Sequence, residues 1–296
     1  MTVVRVNLRP AGYFWETPIM KNILIATDFS PAALDATQYG MRLAAAFEAR
    51  VTLVTAFEEI PIPVGEAMNI ITNEDMRTLA KRQLEKEMRR LNADIPLHVD
   101  TLLKKGPVVR AILAAAEETH ADLIVVGMTG TEKDIRRSFG SAATTLAQKT
   151  PVPLLVIPEE AKFTPPTAIA LAEDVVRLKE NETPEAVRQL LAKFHAKLFV
   201  IRVFNKQQGE VIEVLHDPSD GRRTIGAFSP LHKIAGNKHV ANALENFIEE
   251  NPVGILVMQP QRWAPPEKWF IRSNTKEMIF QTSIPLLVLP PAKHIM

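Results

Sequence analysis

The chain has 296 residues, 46% of them hydrophobic and 23% charged, enough to build the cores of about two ordinary domains. Its 35 basic and 34 acidic side chains leave a net charge of +1, which supplies no strong pull toward nucleic acid or an anionic membrane. It has no cysteine, which excludes disulfides, thiolate metal sites and a cysteine nucleophile, and fits a reducing cytoplasm.

No apolar stretch approaches the ~20 residues needed to span a bilayer, and Arg5 and Pro10 break the apolar residues of the opening segment. That segment lacks a signal-peptide core, so a cytoplasmic location is expected, with no membrane partner.

The regular pattern begins at Lys21. NILIAT (22–27) is a short apolar run, as a strand buried on both faces requires. Ser30 then caps a helix, with Pro31 in its first turn, that runs to about Phe47. RVTLVTAF (50–57) reads as the second strand, and the charged segment 73–91 as an amphipathic helix. A strand over 97–103, a helix over 108–118, a fourth strand over 122–127, a short helix over 141–149 and a fifth strand over 152–158 follow. Strands alternating with helices predict a parallel sheet with helices on both faces. EEAKFTPPT (159–167), charged and with paired prolines, reads as a linker.

Beyond the linker the pattern returns. TPVPLLVIP (150–158) matches TSIPLLVLP (282–290), 132 residues on, and the same offset carries LIVVG (123–127) onto ILVMQ (255–259). FEARVTLVTAF (47–57) resembles FHAKLFVIRVF (194–204) at an offset of 147, and ILIATD (23–28) falls on IALAED (169–174) at 146. The chain therefore reads as an internal duplication. The charged helix of the first copy has no counterpart in the second, where residues 209–228 predict a β-hairpin around a DPSDG turn.

GMTGTEKDIRRSFGS (127–141) joins the fourth strand to the next helix. In a parallel sheet, ligands settle at the carboxyl ends of strands, near the point where strand order reverses. Gly127 and Gly130 would let backbone approach a ligand closely, and Gly140 and Ser141 would offer amides at a helix N-terminus. Glycines equally mark ordinary turns, so a lone GxxG leaves both readings open. The full spacing, Gly127-x2-Gly130-x9-Gly140-Ser141, resembles the nucleotide-binding branch of the universal stress protein family. ATDFSP (26–31) is similar to that family's first strand end, apart from Ala26 where many members have proline, and PVPLLVIP to its last strand.

The resemblance implies two tandem doubly wound α/β units (Rossmann-like, of the adenine-nucleotide alpha-hydrolase-like kind), each a parallel five-stranded sheet, over residues 20–159 and 160–296. It implies that Asp28 and the backbone of Ala26, Thr27 and Ala56 hold adenosine, that Val126, Gly127, Thr129 and Gly130 line the ribose and first phosphates, and that Gly140, Ser141, Ala142 and Ala143 hold the outer phosphates. The ligand would be ATP or another adenine nucleotide, with magnesium or manganese bound through phosphates rather than protein groups. The fifth strands of the two units are expected to pair as an intramolecular pseudo-dimer, a homodimer of chains being the alternative. Met20 stands where such domains begin, so residues 1–19 are expected to form a leader outside the fold.

Other chemistry finds no support. GxxxxGK[ST] and GxGxxG are absent, as is the SGGxDS-type loop of ATP pyrophosphatases. The seven histidines lack helical metal-site spacing. The mixed charges of EKEMRR (85–90) read as a solvated face, and Trp263 and Trp269 as packing residues. Nothing supplies an evident general base or arginine finger, so a regulatory ATP-binding role in stress response stands ahead of a slow ATPase or phosphotransferase and of a nucleotide-independent dimerisation scaffold. In the second copy the glycines become Gln259, Arg262 and Arg272, so that copy is expected to serve as a structural or regulatory partner.

Overall fold

The computed structural model describes residues 20–58, 73–95, 97–128, 139–174, 184–206, 209–216, 229–235, 240–259 and 282–290. The expected leader, the DPSDG turn, Trp263 and Trp269, and Arg262 and Arg272 lie outside these residues.

In the first half, β1 (Asn22–Ala26), α1 (Pro31–Phe47), β2 (Arg50–Phe57), α2 (Asn73–Asp94), β3 (Val99–Lys105), α3 (Val108–Glu118), β4 (Leu123–Met128), α4 (Phe139–Lys149) and β5 (Leu154–Pro158) alternate as the sequence predicts. These strands lie parallel in the order β3-β2-β1-β4-β5. The chain winds outward from β1 to β3 and then returns to β4 on the other side, so strand order reverses between β1 and β4.

The second half contributes β6 (Ala168–Asp174), α5 (Glu185–Phe194), β7 (Lys197–Lys206), β8 (Gly209–His216), β9 (Ser229–Ala235), α6 (Val240–Glu250), β10 (Ile255–Met258) and β11 (Leu286–Val288). The return arm predicted up to residue 228 lies outside the described residues. β8 belongs to an antiparallel meander, β7-β8-β9, that extends the sheet outward.

The two halves share one sheet. Leu286, Leu287 and Val288 pair antiparallel with Val156, Leu155 and Leu154, which closes an 11-stranded sheet in the order β3-β2-β1-β4-β5-β11-β10-β6-β7-β8-β9. Successive residues of the central strands face opposite sides, as strand geometry demands. Ile23, Ile25, Leu155, Leu287 and Leu289 join one core cluster with α1, α2 and α5. Leu24, Ala26, Leu154, Val156 and Leu286 join the other with α3, α4 and α6. Both clusters run across the β5–β11 junction.

Local bonds recur at the offsets found in the sequence. The Arg50 amide donates to Lys21 O at 2.7 Å, and the Lys197 amide to Thr167 O at 3.0 Å. The Asp122 amide donates to Asn22 O at 2.8 Å, and the Gly254 amide to Ala168 O at 2.9 Å. The Thr150 hydroxyl donates to Val152 O and the Thr282 hydroxyl to Ile284 O, both at 2.7 Å. Glu48 and His195, which end α1 and α5, share a left-handed backbone, with φ of 55° and 52°.

The predicted linker does not hang free. Pro166 is buried, Ala161 and Phe163 pack on the first core cluster, and the Phe163 ring meets Tyr39 of α1 and Phe194 of α5 edge-on at 5.1 and 6.1 Å.

Candidate functional site

The carboxyl ends of β1, β2 and β4 meet where strand order reverses, the position at which open α/β sheets hold ligands. Ala26 ends β1 and is buried. Thr27 leaves the ladder, but its amide still donates to Val54 O at 2.9 Å. A run of local bonds then turns the chain into α1. The Phe29 amide donates to Thr27 Oγ1 at 3.0 Å, the Ser30 amide to Asp28 Oδ1 at 3.0 Å, and the Ala33 amide to Ser30 Oγ at 3.3 Å. Ser30 thus caps α1 ahead of Pro31, as the sequence predicts. Phe29 adopts φ 65°, a left-handed conformation that is unfavourable for a bulky side chain. Asp28 is exposed at the mouth of this turn.

On β2, Ala56 is half-buried and in register with Lys104 of β3. Val126 and Gly127 lie inside β4, opposite Val156 and Ile157. Gly127 therefore has ordinary strand backbone, and among the described residues the glycine with positive φ is Gly106 at 115°, after β3. A different constraint explains this glycine. A Cβ on Gly127 would lie 2.4 Å from Ala32 O and 2.9 Å from Ala33 N. Glycine here lets the first turn of α1 press against β4, and that contact sets the wall between the two strand ends.

Gly140 and Ser141 stand in the first turn of α4, while Thr129 and Gly130 lie outside the described residues. Ala142 and Ala143 are buried, and Ala143 packs into the second core cluster, so these two residues can offer an anion only their main-chain groups. Among the described residues no cluster of three or more His, Cys, Asp or Glu could hold a metal ion, and no helix is long and apolar enough to cross a membrane.

The matching region of the second half is built differently. α5 has 10 residues against 17 in α1, and its end matches that of α1, so its start comes later. Pro184, with ψ of 140°, stands at its N-cap in an extended conformation. Gln259 takes the place of Gly127, and its Nε2 donates to Pro290 O at 2.9 Å.

Sequence reasoning missed the Thr27–Phe29 bond and the Gly127–Ala32 contact. The first had a signal in TDFS, where threonine, aspartate and serine side chains can each accept from an amide two or three residues on. The second depends on the approach of a helix, which no local pattern encodes.

The profile of the universal stress protein family matches residues 20–158. A universal stress protein of Methanocaldococcus jannaschii is 26% identical over 147 residues, covering 49% of this chain and 85% of the relative. The protein of Thermus aquaticus described as "universal stress protein in QAH/OAS sulfhydrylase 3′ region" is 33% identical over 144 residues, covering 47% of this chain and 99% of the relative. Among solved structures, a universal stress protein from Archaeoglobus fulgidus DSM 4304 aligns with a TM-score of 0.67 over 92% of this chain and 99% of its own, at 15% identity. That last likeness is one of fold, and it spans both halves. Matched by the family profile over its first half and 33% identical to a relative covered over 99% of its length, the chain belongs to the universal stress protein family.

Proposed function

We propose that residues 20–159 form a nucleotide-binding unit and residues 160–296 a diverged second copy, together a tandem universal stress protein acting in the cytoplasm. The ligand is ATP or another adenine nucleotide, with magnesium or manganese bound through its phosphates, and it acts as a regulatory ligand in stress response. Asp28 and the backbone of Ala26, Thr27 and Ala56 receive adenosine. Val126, Gly127, Thr129 and Gly130 line the ribose and inner phosphates, and the first turn of α4, from Gly140 and Ser141 to Ala142 and Ala143, takes the outer phosphates. The second copy is a structural or regulatory partner, joined to the first as a pseudo-dimer through β5 and β11.

One observation carries this reading. Asp28, the Ser30-capped start of α1 and the glycine that lets α1 approach β4 come together where strand order reverses. The tandem reading is supported by the hydrogen bonds repeated at the sequence offsets. The single-site reading is supported by Gln259 and the late start of α5.

Calorimetric titration of the full chain with ATP and magnesium tests the proposal. One nucleotide per chain is expected, and Gly130→Asp should abolish binding by filling the phosphate space with a like charge. A parent that binds no adenine nucleotide would overturn the reading, and two equal sites per chain would overturn the assignment of the second copy.

A further inference from the structure

Phe29 is a bulky residue held in a left-handed conformation at the mouth of the candidate site, with φ 65°. Such strain persists only where the surroundings enforce it. Two contacts enforce it here. The ring packs on the first core cluster, and the amide donates to the Thr27 hydroxyl at 3.0 Å. Thr27 is itself fixed, since it is 2% exposed and its own amide is bound to Val54 O on the neighbouring strand. The reversal at Phe29 carries the Ser30 amide back to Asp28 Oδ1. The orientation of the Asp28 carboxylate thus traces back, through one strained residue, to a buried hydroxyl.

We infer that Thr27 is a positioning residue for Asp28, its hydroxyl holding Phe29 in the left-handed conformation that presents the carboxylate to a nucleotide base. With Oδ1 engaged by Ser30, a ligand's amino group is met by Oδ2. The inference rests on the nucleotide reading above. The chain carries its own contrast: at the matching positions the second copy keeps the aspartate, Asp174, but has Glu173 for Thr27 and Val176 for Ser30. Two of the three side chains that accept from backbone amides in this turn are gone where the glycine of β4 is also gone, replaced by Gln259. Aspartate remains without the apparatus that aims it.

The test uses the full chain and titrates ATP and GTP, each with magnesium, into the parent, Thr27→Val, Thr27→Ser and Thr37→Val. Thr37 is the control: its hydroxyl is equally buried and lies on α1, but it donates to Ala33 O at 2.7 Å, away from the turn. Thr27→Val should weaken ATP binding about tenfold, the scale of one well-placed polar contact, and bring the preference for ATP over GTP toward unity. Thr27→Ser should restore both, and Thr37→Val should change neither. A parent that binds no adenine nucleotide overturns the nucleotide reading and this inference with it. A parent that binds, with Thr27→Val matching it or Thr37→Val as impaired, overturns this inference alone. Amide hydrogen exchange on the parent requires no variant to fold: ATP should slow exchange at Phe29 and Ser30, and unchanged rates would overturn the inference.

Discussion

Asp35 and Glu160 are joined by a hydrogen bond across a separation of 125 residues, the Glu160 amide donating to Asp35 Oδ2 at 2.8 Å. Asp35 lies in α1, and Glu160 is the second residue of the connector to the second half. The connector is therefore tied to the helix whose start forms the candidate site. Phe163 continues the attachment, its ring edge-on to Tyr39 and Phe194, while Phe194 also meets Phe47 at 5.7 Å. Phe163→Ala removes the ring shared by α1 and α5. Because Phe163 is only partly buried, the expected loss of stability is about 2 kcal/mol, below the usual cost for a buried phenylalanine. Urea denaturation followed by tryptophan fluorescence and by circular dichroism should give one shared transition at lower midpoint. Two separated transitions in the parent would show that the halves unfold independently.

Gly127→Ala is a small change with a large expected effect. The new methyl would meet the backbone of Ala32 at 2.4 Å, and backbone within a capped helix start cannot step aside as a side-chain tip can. We expect a loss of about 1–3 kcal/mol and weaker nucleotide binding, since α1 must back away from β4. Thermal melting and titration of the same sample check both. A variant as stable as the parent would show that α1 shifts freely.

The β5–β11 ladder is short and wholly apolar, with Leu155 and Leu287 opposite each other and 2% and 1% exposed. Leu287→Asp buries a charge with no partner, a change expected to cost more than about 4 kcal/mol. It also strips the cover from β5, whose exposed edge then offers a template for another chain. Sedimentation velocity should show concentration-dependent association of this variant. A fully monomeric, stable variant would count against the ladder as the joint between the halves.

Glu87 sits on the core-facing side of α2 at 8% exposure, between Leu84 and Leu91. Burial raises its carboxyl above the ordinary value, and Arg90 and Lys86 offset that only in part. The folded state therefore binds this proton more tightly than the unfolded chain does. Near neutral pH the ionised group burdens the fold, and that burden is relieved as the pH falls through the raised folded value toward the ordinary 4.5. Glu87→Gln should raise the Tm at pH 7, and the gain should shrink steadily toward pH 4.5. A gain that grows on acidification would reverse the sign of the argument.

What could be read in advance followed from local chemistry. RVTLVTAF and VVRAILAAAEE carry uninterrupted strand and helix patterns, and their elements begin and end where the patterns do, at 50–57 and 108–118. Ser30 and Pro31 announced the start of α1 because a cap is a contact over three residues. The repeat offsets foresaw matching turns because Thr150 and Thr282 each bond within two residues. Contacts between distant elements left no such trace. Phe163 reads as one apolar residue in a polar connector until Tyr39 and Phe194 are brought beside it. Gly127 was legible as a glycine that had to be there, but its close contact with Ala32 was not. The joining of the two sheets through Leu154–Val156 and Leu286–Val288 was expected from the family resemblance rather than from a local pattern, since an apolar strand reads the same whether its edge is open or filled.

Because β5 and β11 belong to one polypeptide, their union is a unimolecular event. Dilution cannot pull the two sides apart, and no neighbouring molecule competes on equal terms for either edge, since the tether keeps the local concentration of the proper mate high. The two sides are also made in strict one-to-one proportion. A symmetric pair of separate chains must satisfy every contact with a single sequence, so a substitution that helps one side is imposed on the other. Here the two flanks of the ladder answer to different residues, which leaves one side free to keep a glycine-dependent contact between helix and strand while the other places glutamine in the same position.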